Sequence, residues 1–424
     1  MPVVDTWHKT VKQPDGSKVE ERSAAYGRGK RWAARYRDDN GNQKSPKFKT
    51  KAAAEAHLKR AEGDLQRGQY VDPKAGDVKL RDFAEEVLSN ASLDESSRDE
   101  MRRRLRRHVF PELGGKAMRA VRPSMVQAWL RGRLDQLGEQ TVKTVFQNLS
   151  MVFQVAVDDE IIGRNPCRSG SVKAPTVPRR KVEPWSVERV AAIMTALPSY
   201  CRAVVAPGAG CGMRQGEVFG LAADDVEFLH RNVIVRRQIK MVRNRWVFAP
   251  PKGGKERDVP LPRHVADVLS QHIADRPPVE VTLPWREPGG SPVTARLIFT
   301  TRRGKHLNKT TFNAYVWKPA LVEVGVLPRP AEGQRIPAAH DKGFHQLRHH
   351  YASLTLDEGV SIRALAEYLG HSDPGFTLRT YAHMMPSSDG RARDAIDRAW
   401  SANTPPASAP DVRPDGTDGG GHTP

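Results

Sequence analysis

At 424 residues, with 68 Lys and Arg against 49 Asp and Glu, the chain carries a formal charge of +19 and is long enough for two or three domains with sizeable cores. No apolar run is long enough to span a bilayer, the N-terminus MPVVDTWHKT has no signal-peptide core, and Cys167, Cys201 and Cys211 form no C-x-x-C pair. A membrane span, a disulfide framework, a zinc ribbon and, for want of a phosphate-cradling glycine loop, ATP-driven chemistry are set aside, leaving a soluble cytoplasmic protein with a polyanionic partner, nucleic acid ahead of a membrane surface, as the expectation.

From about Ser23 to Thr50 the pattern is strand-like: Trp32, Ala34 and Tyr36 alternate with Ala33, Arg35 and Arg37, and DDNGNQ turns the chain into KSPKFKT. A helix from Lys51 to Arg67 follows, capped by Thr50, striped with Ala54, Leu58, Ala61 and Leu65 and stopped by Gly68. This predicts a small sheet-plus-helix module with a basic face. Arg35, Arg37, Lys47 and Lys49 on that face are candidate DNA contacts, although a lysine-rich edge strand is also ordinary solvated surface.

Residues 70–79, with Asp72-Pro73 and Gly76, read as a linker. Helices are predicted over Leu80–Leu88, Leu93–Arg107, Pro123–Leu134 and Gln140–Val157, a four-helix module in which Val142, Phe146, Leu149 and Phe153 share one stripe. The second helix carries RRRLRR, whose Arg103 and Arg104 are candidate phosphate contacts. Arg164 to Pro184, rich in proline and basic residues, reads as an inter-domain linker.

A final domain opens at Ser186 with a helix over Val187–Leu197 and a second apolar helix ending near Gly212. Three short strands are predicted over Val233–Gln238, Arg245–Ala249 and Arg257–Leu261, a fourth at Leu297–Thr300 and a helix over Thr311–Glu323. His345–Glu358 and the stretch capped by Ser361 and stopped by Gly370 read as helices. Asp373-Pro374-Gly375 breaks the chain before a short segment, Phe376–His383. A helix over Asp389–Trp400 carries Ala392, Ala395, Ile396 and Ala399 as its apolar stripe, and residues 401–424 read as a disordered tail.

Phe344 to His383 concentrates cations suited to an anion and one candidate nucleophile, Tyr381. His345 and Arg348 lie one helical turn apart on one face. Singly, His345 and His371 could be satisfied core histidines, Arg348 a surface cation and Tyr381 a bonded core aromatic. His345, His349 and the adjacent His350 lack the glutamate that a zincin helix places after its first histidine, since Gln346 stands there, so no metal site is assigned.

In chain order Arg214, Lys252, His345, Arg348, His371 and Tyr381 resemble the catalytic set of the tyrosine recombinases, the phage-integrase family. GMRQGE surrounds the first arginine, HQLRH the second and LGHS the later histidine, and TYAH holds the tyrosine. The resemblance runs from about Pro184 to Trp400, and more weakly upstream.

It implies a multi-domain α+β chain: residues 1–76 as a small sheet-plus-helix module like an arm-DNA-binding domain, 77–167 as a helical core-DNA-binding domain, 168–184 as linker, 185–400 as a mainly α-helical catalytic domain with a small antiparallel sheet, and 401–424 as tail. It further implies an element-encoded integrase that cleaves DNA through a 3′-phosphotyrosyl bond, with Tyr381 as nucleophile and no metal or nucleotide cofactor.

By the same resemblance Arg214 and Arg348 hold the phosphate, Lys252 is the general acid with Lys255 its competitor on one turn, His345 assists at the tyrosine, His371 bonds the phosphate and Glu217 supports Arg214. The implied partners are double-stranded attachment-site DNA on the bacterial nucleoid, three further copies in a homotetramer, a directionality factor and a DNA-bending host protein. A relaxing topoisomerase and a regulator with a decayed site are the rival readings.

Overall fold

The computed structural model describes residues 2–401, apart from 15–16, 39–40, 68–69, 71, 73, 179–180, 338–339 and 385–388. The expected tail, the Gly68 stop and part of the DDNGNQ turn lie outside the described residues. Contacts divide the chain into two compact units, Met1–Arg180 with Met241–Arg245, and Lys181–Lys240 with Trp246 onward.

In the first unit, strands β1 (Val3–Asp5), β2 (His8–Lys12), β3 (Lys18–Arg22), β4 (Trp32–Ala34), β5 (Tyr36–Arg37), β6 (Gln43–Lys44) and β7 (Lys47–Phe48) precede helix α1 (Lys51–Gln66). They pair antiparallel as a three-stranded sheet β1-β4-β7, with Val3 opposite Ala34 and Trp32 opposite Phe48, and as the hairpins β2-β3 and β5-β6. The first three strands were not anticipated: β1 is only three residues long, and the lysines and glutamates of β2 and β3 carry little of the apolar alternation that marks a buried strand. Thr50 caps α1 by accepting from the Ala53 N–H, and Ala54, Leu58 and Ala61 lay the helix on Ala34 and Tyr36. Ala33 and Ala34 are both buried, so the sheet is covered on both faces at β4.

A separate core is built by α2 (Leu80–Asn90), α3 (Glu95–His108), α4 (Pro123–Leu134) and α5 (Glu139–Asp158). Along α5, Val142, Val145, Phe146, Leu149, Val152, Phe153 and Ala156 recur at helical spacing and are all buried. Each large apolar side chain so buried contributes roughly 1.5–3 kcal/mol. The indole of Trp129 from α4 donates to the His108 carbonyl, which ties α4 to the end of α3.

The second unit contains α6 (Val187–Ala196), α7 (Val205–Gly210), α8 (Gln215–Phe219), strands β8 (Val226–Glu227), β9 (Asn232–Val235), β10 (Gln238–Val242) and β11 (Arg245–Ala249) apart from their residues 241–245, and β12 (Arg257–Pro260), then α9 (Arg263–Asp275) and the hairpin β13 (Val279–Pro284) with β14 (Pro292–Leu297). Next come α10 (Lys309–Phe312), α11 (Lys318–Glu323), α12 (His345–Asp357), α13 (Ile362–Leu369), α14 (Pro374–Tyr381) and α15 (Asp389–Ser401). The sheet order is β12-β9-β8, with β10-β11 as a separate ribbon. One apolar core runs from Trp185 to Leu347, and a smaller cluster joins Tyr351, Ala352, Leu356, Leu365, Leu369 and Tyr381.

Four local expectations change. The strand expected over Val233–Gln238 is two, β9 and β10, in different sheets, because Arg236 and Arg237 between them turn back to the buried Asp225, Arg237 through bonds of 2.7 and 3.2 Å. The helix expected over Thr311–Glu323 is interrupted by a π-helical turn, Asn313–Trp317, just before Pro319, which has no N–H to offer the Tyr315 carbonyl. The strand expected at Leu297–Thr300 ends at Leu297 as the second arm of a hairpin, and Thr300 makes only an isolated bridge to His306.

Lastly, Asp373-Pro374-Gly375 starts a helix as well as ending one. Asp373 accepts from the Gly375 N–H at 2.8 Å and Pro374 occupies the first helical turn, so Tyr381 is presented from α14. On α15, Ile396 and Trp400 are exposed, while the side chains of Ala392 and Ala395 lie outside the described residues.

Replacing Leu149, fully buried in α5, by alanine is expected to cost about 2–5 kcal/mol, read by calorimetry as an earlier transition of the helical module. The same change at the exposed Leu134 should leave that transition nearly in place.

Candidate active site

The site is assembled on the end of α13. Ser361 caps its start by accepting from the Ala364 N–H at 3.2 Å, Leu365 and Leu369 bury its inner face, and Gly370 stops it in the left-handed conformation at φ 63°. A helix ends with unsatisfied carbonyls at the negative pole of its dipole. Here three consecutive carbonyls each receive an arginine from a different element: Tyr368 from Arg257 Nε at 2.7 Å, Leu369 from Arg348 Nη2 at 2.6 Å and Gly370 from Arg214 Nη2 at 3.3 Å.

Glu217, wholly buried in α8, joins two of these cations. Its carboxylate accepts from the Arg214 N–H at 2.8 Å and Nη1 at 2.9 Å, and from Arg257 Nη1 and Nη2 at 3.1 and 2.6 Å. Burial acts to raise its pKa, but the Arg257 hydrogen bonds and the charges of Arg257 and Arg214 outweigh it and hold the carboxyl down at about 2. Arg348 is 1% exposed; its Nη1 donates to the Gly212 carbonyl at 2.9 Å. Gly212 sits at φ 62°, where a Cβ would fall 2.5 Å from Tyr351, so glycine is required there. Burial and then Arg214 lower the Arg348 guanidinium to about 9, still protonated at neutral pH.

His371, just beyond Gly370, faces Arg348 through Nε2 at 2.8 Å and Thr377 through Nδ1 at 2.7 Å. Since the guanidinium can only donate, Nε2 accepts and Nδ1 carries the hydrogen given to the Thr377 hydroxyl. Burial and the charges of Arg348, Arg214, Arg257 and Lys252 push this imidazole down to about 3, so the ring is neutral at physiological pH.

Tyr381, 1% exposed, closes the other side of the site. Its hydroxyl lies 2.8 Å from Nδ1 of His349, and the two rings meet edge-on at 5.7 Å. Burial raises the phenol to about 12, while Arg348 and Arg214 pull against that rise. Burial and Arg348 lower His349 to about 4. His345, one turn earlier on α12, packs edge-on against His349 at 4.7 Å. It is lowered to about 3 by surrounding protein and by His349, Arg348 and Arg214, even though one edge of the ring is open to solvent.

Arg214, His345, Arg348, His371 and Tyr381 are thus brought together, with Glu217 beneath them. Lys252 and Lys255 are both exposed on the turn between β11 and β12, and Lys252 is near enough for its charge to act on His371. In the first unit Arg35, Arg37, Lys47 and Lys49 are exposed on the β4–β7 module. Arg103 and Arg104 on α3 both pair with Glu100, at 2.8 and 3.1 Å.

Sequence reasoning passed over Arg257 and Thr377, and weighed His349 only as a metal ligand. Arg257 opens a strand whose alternation hides its inward direction; the signal available was a charged residue on the apolar side of Arg257–Leu261. His349 could have been read from its place one turn after His345 on the same helix face.

Residues 184–387 match the model described as Phage integrase family, and residues 80–171 that described as Phage integrase central domain. A protein named tyrosine recombinase XerC-like, from Caldanaerobacter subterraneus subsp. tengcongensis, is 26% identical over 85% of this chain and 93% of its own length. The prophage phiRv2 integrase of Mycobacterium tuberculosis is 28% identical over 86% of this chain and 91% of its own. The fold matches the Tn1549 transposon integrase in complex with a circular intermediate DNA, with TM-score 0.59 and 18% identity over 76% of this chain and 99% of that one. It also matches a lambda integrase tetramer bound to a Holliday junction, with TM-score 0.53 and 15% identity over 84% and 92%.

Fold and relatives together define a tyrosine-type site-specific recombinase. No helix among the described residues is long and apolar enough to cross a membrane. The chain belongs to the phage integrase family.

Replacing Glu217 by glutamine leaves two arginines around a neutral amide and is expected to cost about 3–5 kcal/mol. Because the folded-state pKa is depressed, the wild-type carboxylate contributes stability above its ordinary value of about 4.3 and loses it as pH falls toward about 2. Acid unfolding of Glu217→Gln should therefore be flatter through that window than wild type; parallel curves would contradict the pairing.

Proposed function

We propose that this integrase cuts and rejoins double-stranded attachment-site DNA to integrate and excise a mobile element, with Tyr381 as its nucleophile. The observation that carries the reading is a single buried tyrosine whose hydroxyl is bonded to an imidazole while the Arg348 and Arg214 charges both favour its ionised form.

The chemistry follows from what each group can give. The Tyr381 oxygen attacks phosphorus, the Oη–P bond forms and the bond to the 5′-oxygen breaks, leaving a 3′-phosphotyrosyl link. Negative charge on the pentavalent phosphorus is met by guanidinium donors: of five N–H groups each, Arg214 and Arg348 retain some beyond those bonded to protein. Lys252, on an exposed turn, supplies the proton that the departing 5′-oxygen takes up. His371 gives up its contact with Arg348 to bond the phosphate, and His345 stands at the mouth of the tyrosine's proton path. Attack by a 5′-hydroxyl from a partner strand reverses the step, and the conserved bond energy makes a nucleotide unnecessary.

The domain assignment is part of the same reading: 1–76 binds arm sites through Arg35, Arg37, Lys47 and Lys49, 77–167 binds the crossover core with Arg103 and Arg104 released from Glu100 to phosphate, 168–184 links, and 185–400 cleaves. The working unit is a homotetramer on two duplexes in the cytoplasm, on the nucleoid, with a directionality factor and a DNA-bending host protein setting its direction. Tetramer assembly on a junction is what the lambda integrase structure describes for that protein.

On a nicked duplex spanning the element's junction, wild type is expected to form an SDS-resistant adduct, and Tyr381→Phe to bind equally and form none. Equal adduct from the mutant would refute the nucleophile, and binding by wild type without an adduct would favour a regulator. Removing residues before Lys79 should weaken binding at distal arm sites more than at the core, as footprinting would show; uniform loss would count against an arm module.

A further inference from the structure

We propose that His349, the residue directly after Arg348, is the group that takes the proton from Tyr381 as the tyrosine attacks, and returns it when the strand is rejoined. The inference rests on Tyr381 being the nucleophile.

Geometry carries the assignment. The hydrogen bond at the phenol is made by His349 Nδ1 at 2.8 Å, with the rings edge-on so that the nitrogen lone pair lies toward the hydroxyl. His345 sits one turn away and meets His349 rather than the phenol, with 4.7 Å between ring centres. Both histidines project from one face of α12, but the later one is bonded to Tyr381, the last residue of α14, whose ring packs with Tyr351 and Ala352 a turn further along α12.

The direction of the bond follows from the two partners. The groups facing His349 are Arg348 and His345 from its own helix and Tyr381 from α14. Burial, and then the Arg348 charge, keep the His349 ring neutral, and a neutral ring bonded through Nδ1 to a protonated phenol accepts there and carries its own hydrogen on Nε2. The phenol is far too weak an acid to ionise onto this ring unaided. Transfer accompanies bond formation: as Oη bonds to phosphorus its proton moves to Nδ1, the ring becomes imidazolium, and the phosphodiester's negative charge beside it supports that cation. The atoms balance, since one proton leaves Oη for Nδ1 while a second passes from the general acid to the 5′-oxygen. Rejoining runs the same transfers backward.

A residue that only positions the tyrosine and one that accepts its proton respond differently to one substitution. His349→Asn keeps an oxygen acceptor near the place of Nδ1 but cannot take a proton. Adduct formation is measured in single turnover on the nicked junction duplex from pH 6 to 9, with DNA binding measured alongside for wild type, His349→Asn and His345→Asn. Wild type should be nearly independent of pH. His349→Asn should bind as wild type and react about 10²–10⁴-fold more slowly, with a rate that climbs with pH as ionised tyrosine becomes the attacking form. His345→Asn should keep the flat profile.

A wild-type rate and flat profile in His349→Asn, or the climbing profile in His345→Asn instead, would overturn the inference and leave the function standing. Absence of a wild-type adduct despite binding would remove both. Independently of any variant's folding, isotope-labelled histidine in the wild-type chain, assigned by comparison with Tyr381→Phe, should show His349 bare at Nδ1 and protonated at Nε2; a proton on Nδ1 would also overturn it.

Discussion

The buried carboxylate of Glu217 and the carbonyl end of α13 are the constraint on which the site depends. Three guanidiniums gathered within one small volume repel one another, and in a low-dielectric interior that repulsion is severe. One full negative charge shared by Arg214 and Arg257, and one helix end offering three carbonyls in succession, make the cluster tolerable. The rest of the unit can be read as the means of delivering these partners: α8 brings Glu217 and Arg214, β12 brings Arg257, α12 brings Arg348, and the long apolar core fixes those elements against one another.

An arrangement of this kind prepares for an anion before any arrives. Donors are already oriented, so little reorganisation is left for the moment of reaction. Burial, with the same cationic field adding to it, keeps the neighbouring imidazoles neutral, as seen at His345, His349 and His371. Neutral rings can accept protons, which a charged imidazolium cannot. The arginines that meet the anion thus also add to what burial does in readying the bases.

What could be read in advance follows how local each determinant is. Ser361 and Gly370 announced both ends of α13 because capping is decided within a few residues, and the stripe of α5 was visible because its period is set by the helix itself. Arg214, Arg348, His371 and Tyr381 were conspicuous through short motifs, and they do converge in space. Arg257 was not, since its partner Glu217 lies forty positions away and nothing in a strand's alternation says that an arginine points inward. His349 was visible as a residue but not as the tyrosine's neighbour, because that pairing depends on where the end of α14 packs on α12. The N-terminal strands escaped notice for the opposite reason: their residues are so largely exposed that they carry almost no pattern.

Gly370 holds no charge, donates nothing to a phosphate and takes no part in proton transfer. Yet its left-handed turn decides where three carbonyls point, and a side chain there would press on Arg257 at 3.1 Å. Loss of one arginine removes one contact from that turn, while a misfolded turn would withdraw a carbonyl from all three at once and leave them Glu217 and the Gly212 carbonyl. Among the residues of the site, the one with least chemistry of its own is thus a joint shared by the whole cationic array.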